Sequence, residues 1–277
     1  MNRSAIQQIS EELYAGKYYK VTLIALDLNS REVLNFFKQK GGSDFIDASQ
    51  NCFFLMDEPA SIDDDNQAVF FSLRECFGKN FLACYPITLR AILDFYEQVA
   101  KAQKIFQEGR EFTNKIESQF KTWHVNLAER IRLKRIIVLS SLKPITAVLG
   151  WVADVARQLS CVSLDGKFLS QISFDDISQF NPDVILISDA SVTLSETLSL
   201  YRSFLKAEET SAAKRGAVYF ANPRHLNILA LDPENLFRNL AFIVSALADL
   251  EAGYILPKNY FFKLFHLEAF RNQIEEL

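Results

Sequence analysis

The chain has 277 residues, 49% of them hydrophobic and 23% charged, a balance that builds a sizeable core and excludes a disordered or fibrous chain. Its formal net charge is −4 and it carries no basic block, which argues against a nucleic-acid partner. No window reaches the ~18 consecutive apolar residues of a membrane span, so the chain is not expected to cross a membrane.

The first twenty residues place Ile6, Ile9 and Leu13 at helical spacing but lack the apolar stretch of ~7–15 residues that a secretory signal needs. The expected location is the cytoplasm for the chain as it stands, or the periplasm where Met1 opens a mature form. Short apolar runs then mark strands, and 3.6-residue periodicity marks helices. The first half reads as strand 20–26, helix 30–39, strands 44–47 and 52–56, helix 65–77 and strand 80–85. Only Ala48-Ser49-Gln50-Asn51 separates the two middle strands, too little chain for a helix.

Residues 88–132 carry no strand signal. Ile92, Phe95, Val99 and Ala102 form one helical stripe; Phe112, Ile116, Phe120, Trp123, Leu127 and Ile131 form a second. Gly109 reads as the break between them, followed by a helix over 111–132 that is ~33 Å long at 1.5 Å per residue. The second half reads as strand 135–140, helix 146–159, strand 161–164, helix 174–180, strand 184–188, helix 194–207 and strand 217–221. An amphipathic helix over 234–251 follows, then a tail rich in aromatics, expected to dock on a lobe as a helix or to present a patch to a partner.

Strands alternating with helices on both sides of a long helix predict an α/β protein: two αβ lobes with parallel sheets joined by a single long helix. The expected organisation is a reduced N-terminal lobe at 1–87, a helical connection at 88–132, a C-terminal lobe at 133–253 and the tail at 254–277.

Cys52, Cys76, Cys84 and Cys161 show no CxxC spacing and read as free thiols. His124, His225 and His266 lie far apart, and no HExxH, GxSxG or Gly-rich phosphate loop is present. No metal centre, no catalytic residue and no resident cofactor are expected, and the chain reads as a binder rather than an enzyme.

The order and spacing of several segments resemble the class III solute-binding proteins of ABC importers, the helical-backbone family that binds cobalamin, iron siderophores and haem. KVTLIALDLNSREVLNFF looks like the family's opening strand, loop and first helix. TAVLGWVADVARQL looks like the helix that begins the second lobe, and KRGAVYFAN like the last strand. SFDDISQFNPDVILIS matches the family's Ser-x-Glu helix followed by Pro-Asp and an apolar strand.

The resemblance implies a ligand between the lobes, against the loops that follow the strands. Those loops supply Leu28, Asn29, Asp57, Lys143, Asp189, Arg224 and His225, with Phe168 near the lip of the cleft. Lys143 and Arg224 suit a ligand carboxylate or phosphate, or are solvated loop charges. His225 suits a metal-bearing ligand, or is a polar surface residue. The implied ligand is bulky: cobalamin, haem or a ferric siderophore. Asp175 occupies the position of the carboxylate that docks the family on a permease arginine. The expected partners are therefore a small molecule and an ABC permease. The alternative is a cytoplasmic relative that has lost transport and acts as an interaction or regulatory module, since the first lobe shows no helix at its own docking position.

Overall fold

The computed structural model describes residues 23–25, 28–42, 52–56, 75, 81–166, 169–203 and 209–264. The chain divides into two compact units: Met1–Pro86 with Arg90–Glu117 and Leu231–Pro233, and Ile87–Leu89 with Ser118–Ala230 and Glu234–Leu277. Each has its own sheet, so the strands of the two halves do not merge.

The first unit holds β1 (Leu23–Ala25), β2 (Cys52–Met56) and β3 (Phe81–Cys84) in a wholly parallel sheet, order β1-β2-β3. Helix α1 (Leu28–Gln39) follows β1 and turns Val33, Leu34 and Phe37 inward. Phe36 and Phe37 meet Phe112 with ring centroids 5.0 and 6.5 Å apart. The expected strand 44–47, the helix 65–77 apart from helical Glu75, the four-residue link between strands 44–47 and 52–56, and the tail beyond residue 264 lie outside the described residues.

Helices α2 (Leu89–Ala102) and α3 (Phe106–Ile131) replace the strand-free stretch. The break between them falls at residues 103–105, with Lys104 at φ 64, and not at Gly109, which lies inside α3. Gly109 serves a different need. A Cβ on it would stand 2.3 Å from the Cβ of Ala100, so the glycine lets α3 lie tight on α2. At 26 residues α3 is ~39 Å long. Its residues up to Glu117 belong to the first unit and those from Ser118 to the second, so the two αβ units share this one helix.

The second unit holds a six-stranded sheet, order β6-β5-β4-β7-β8-β9. Strands β4 (Ile136–Leu142), β7 (Val184–Ile187) and β8 (Val218–Ala221) are parallel, and β7 and β8 are buried at every position, as expected of strands covered on both faces. The other three strands are antiparallel additions. β5 (Ile145–Val148) folds back on β4 through Lys143-Pro144, and β6 (Leu169–Gln171) pairs with β5. β9 (Phe261–Lys263), from the segment read as a docked tail, pairs with β8.

The expected helix 146–159 therefore starts as a strand. Its helical part is α4 (Trp151–Gln158), set off by Gly150 at φ 46. The expected strand 161–164 reduces to one bridge, Arg135 with Val162. Helix α5 (Phe174–Phe180) opens on a capping box: the Ser173 hydroxyl accepts from the Asp176 amide at 3.1 Å, and the Asp176 carboxylate accepts from the Ser173 amide at 2.7 Å. The Ser173 hydroxyl also donates to the Asp176 carboxylate at 2.7 Å, and that bond, followed by the one from the Ser173 amide, holds the Asp176 carboxyl below its ordinary value. Asn181 closes the helix in the left-handed conformation, and its side chain accepts from the amide of Ser211 at 2.8 Å. That bond seats the start of the short α7 (Ser211–Lys214), beyond α6 (Leu194–Ser203). Helix α8 (Pro233–Leu247) ends beside Asp249. The Asp249 carboxylate receives the Tyr219 hydroxyl and pairs with Lys263, fastening β8, β9 and the end of α8 together.

Helix propensity alone favours Ala over Gly by ~1 kcal/mol. At Gly109 the contact opposes it, because overpacking a tight site costs ~1–3 kcal/mol and the Ala100 methyl has no rotamer to swing away. Gly109→Ala is expected to lower the urea midpoint, and adding Ala100→Gly to recover part of the loss. A rise with Gly109→Ala alone would show that α2 and α3 separate without penalty.

Candidate functional site at the carboxyl edge of the six-stranded sheet

Open parallel sheets bind ligands beyond the carboxyl ends of their strands. In the second unit the register brings those ends level: Leu139 pairs with Ile187, and Ile187 with Phe220. The loops after β7 and β8 are then tied to each other and to the sheet. The Ser188 amide donates to the Leu139 carbonyl at 2.8 Å, and the buried Ser188 hydroxyl accepts from the Ile228 amide at 3.1 Å. The Asn222 side chain donates to the Asn259 carbonyl at 2.9 Å and accepts from the Arg224 amide at 3.1 Å. The Asn239 amide on α8 donates to the carbonyls of Asn227 and Ala230 at 3.0 and 3.1 Å. Residues 222–230 are thereby pinned from three sides.

On this frame Asp189, Arg224 and His225 follow the level ends of β7 and β8. Asp189 is buried, and one of its oxygens accepts from both the amide and the hydroxyl of Ser191, at 3.0 and 2.5 Å. Its carboxylate organises its own turn. Arg224 and His225 are exposed. The imidazole of His225 stacks on the ring of Tyr260, centroids 4.9 Å apart and planes 10° from parallel. Stacking fixes the ring's plane and leaves a flat surface next in sequence to the exposed Arg224. Lys143 is exposed at the tip of the β4–β5 hairpin, four residues beyond the end of β4's pairing with β7; its amide donates to the Ser141 hydroxyl at 3.1 Å.

The remaining expected residues fall elsewhere. Leu28 and Asn29 open α1 in the first unit, and the Asn29 side chain accepts from the Leu231 amide at 3.1 Å. Asn29 therefore joins two segments of that unit. Asp57 and Phe168 lie outside the described residues. Asp175 is exposed in the first turn of α5; capping uses Asp176 and leaves Asp175 at the surface. Among the described residues no group of three or more His, Cys, Asp or Glu is arranged to hold a metal ion, and no helix is long and apolar enough to cross a membrane.

Two contributors stand in loops the sequence marks but carry no role in that reading, and a third escaped it. Ser188 and Asn222 are polar residues at the ends of buried strands, and that position was a usable signal. Tyr260 reaches His225 only through the pairing of β9 with β8, for which no local pattern exists.

No family model matches the chain, and no curated protein matches it in sequence. In fold it is similar to several solved structures. The periplasmic vitamin B12-binding protein BtuF of Vibrio cholerae aligns with TM-score 0.58 at 16% identity, over 81% of this chain and 95% of that one. The periplasmic heme-binding protein RhuT of Roseiflexus sp. RS-1 aligns with TM-score 0.57 at 14% identity, over 83% and 98%. A possible iron-binding periplasmic solute-binding protein of Staphylococcus epidermidis aligns with TM-score 0.55 at 12% identity, over 81% and 97%. The likeness is one of fold.

Removing the Ser188 hydroxyl leaves the buried Ile228 amide without its acceptor, at a cost of ~1–3 kcal/mol. Ser188→Ala is expected to lower the unfolding free energy by that amount and to speed amide exchange across residues 222–230. Unchanged exchange there would show that the loop stands without the tie.

Proposed function

We propose that this chain, which has the fold of the helical-backbone solute-binding proteins, binds a bulky small molecule at the carboxyl edge of its six-stranded sheet. The observation that carries the reading is the level end of the β4–β7 and β7–β8 pairings under loops pinned by Ser188, Asn222 and Asn239. A preorganised rim with few polar groups is what a ligand site needs, and rigid loops spare the ordering cost of binding. The fold neighbours include proteins described as binding vitamin B12 and heme, which supports a metal-containing or tetrapyrrole ligand of the cobalamin, haem or ferric-siderophore class.

In this reading Arg224 supplies a two-pronged donor to a ligand carboxylate or phosphate, and Lys143 a second, longer-reaching cation. The His225–Tyr260 stack offers a planar face to a conjugated ring or a nitrogen to its metal. Asp189 holds the β7 loop in shape and does not meet the ligand directly. Asp175, on the surface of the same unit, is the carboxylate proposed to meet an arginine of an ABC permease. A rim ion pair of that kind contributes ~0–1 kcal/mol, so it orients docking more than it secures it.

Titration with cobalamin, haem and ferric siderophores, followed by absorbance, tests the reading. One class is expected to bind. Arg224→Ala is expected to weaken that ligand about tenfold, the scale of one lost charged hydrogen bond. Binding that is unchanged in both Arg224→Ala and His225→Ala would move the site away from this edge, and failure of all three classes to bind would reject the ligand class.

A further inference from the structure

The opposite, amino-terminal edge of the same sheet carries a feature that ligand binding does not use. Helix α3 ends at Ile131, and two residues later Leu133 sits at φ 62 with 70% of its surface exposed. The left-handed region is ordinarily left to glycine or asparagine at a helix end, and a bulky residue there is an outlier that points to function. The Leu133 amide donates to the Ser160 carbonyl at 2.8 Å, and the Val162 amide to the Lys134 carbonyl at 2.9 Å. These bonds and the Arg135–Val162 bridge bring Val162, 46% exposed, next to Leu133.

Cations surround this apolar pair. Arg132 is exposed between Ile131 and Leu133, and Lys134 and Arg135 follow. Lys134 donates its ammonium to the Leu247 carbonyl at 2.6 Å. Arg135 and Arg215 both approach the Asp183 carboxylate, at 4.0 and 3.4 Å, so that single acid faces two guanidinium groups. The neighbouring Asp249 is met by Lys263. The chain as a whole is acidic, with net charge −4, yet this edge is positive.

We propose that this edge docks on an anionic lipid bilayer, with Leu133 and Val162 entering the headgroup–acyl boundary and Arg132, Arg135 and Arg215 facing the lipid phosphates. Two apolar side chains are too few for the core of a protein interface, which buries about 800 Å² on each partner. A bilayer demands no shape complementarity, and apolar insertion and cation attraction add side chain by side chain. The proposal is independent of the ligand site at the other edge.

Co-sedimentation of the full chain with vesicles tests it, comparing phosphatidylcholine alone with a phosphatidylcholine–phosphatidylglycerol mixture. The protein is expected to pellet with the anionic vesicles only, and less so at high salt. Leu133→Gly is expected to weaken partitioning about tenfold while its thermal midpoint holds or rises, because glycine fits φ 62 without strain. Arg132→Glu is expected to weaken it at least fivefold, the share of one lost cation. Protein left in the supernatant with both vesicle types, or a Leu133→Gly variant that pellets like the wild type, would overturn the proposal. Retention on immobilised polyglutamate without vesicle binding would also overturn it and assign the edge to an acidic protein.

Discussion

Everything proposed for this protein depends on the parallel register of β4, β7 and β8. Parallel pairing in register sends three carboxyl ends to one edge of the sheet and three amino ends to the other. One edge then gathers the loops in which ligand chemistry resides, and the other gathers the chain segments that enter the strands. The register has local anchors. The Asp183 carboxylate accepts from the Arg135 amide at 2.9 Å, and the Arg135 carbonyl accepts from the amides of Asp183 and Val184. Asp183 therefore aligns β7 with β4 at their first residues, and burial of β7 on both faces forbids a slip, which would place polar groups in the core.

The two edges differ in how they are finished. At the carboxyl edge polar side chains are spent inward: Ser188, Asn222 and Asn239 bind backbone, and Asp189 shapes its own turn. Arg224 and Lys143 remain exposed there, which suits selective contact with one ligand group. At the amino edge Leu133 is held at φ 62 with its side chain exposed, and Arg132 beside it is exposed too. Cys161 is buried with its thiol against the Ile131 carbonyl at 2.9 Å, and burial pushes that thiol up to about 11, so it stays protonated and unreactive at neutral pH.

The segment 173–188 was legible because every signal in it is local. Ser173 and Asp176 announce a helix start, Asn181 a left-handed stop, and Val184–Ile187 a buried strand. The long helix was legible for the same reason, from its stripe of Phe112, Ile116, Phe120 and Trp123. What was misread depends on partners distant in sequence. Ile145–Val148 reads as the start of a helix because it runs into Trp151–Gln158, and only its pairing with β4 makes it a strand. Leu169–Gln171 carries a single apolar residue and is a strand only because β5 lies beside it. Phe261–Lys263 likewise needs β8. Gly109 was read as a helix break because glycine destabilises helices; the contact with Ala100 that explains it joins two helices, and a single stripe cannot show it. At the candidate site, the positions of Asp189, Arg224 and His225 just after buried strands were legible. The stacking partner Tyr260 was not.

Amide hydrogen exchange of the full chain, with and without a saturating amount of whichever of haem, cobalamin or ferric siderophore it binds, tests the central claim most directly. The account predicts added protection over residues 188–191 and 222–228, with residues 132–136 at the opposite edge unchanged. Protection confined to segments away from the carboxyl edge of the six-stranded sheet would contradict it.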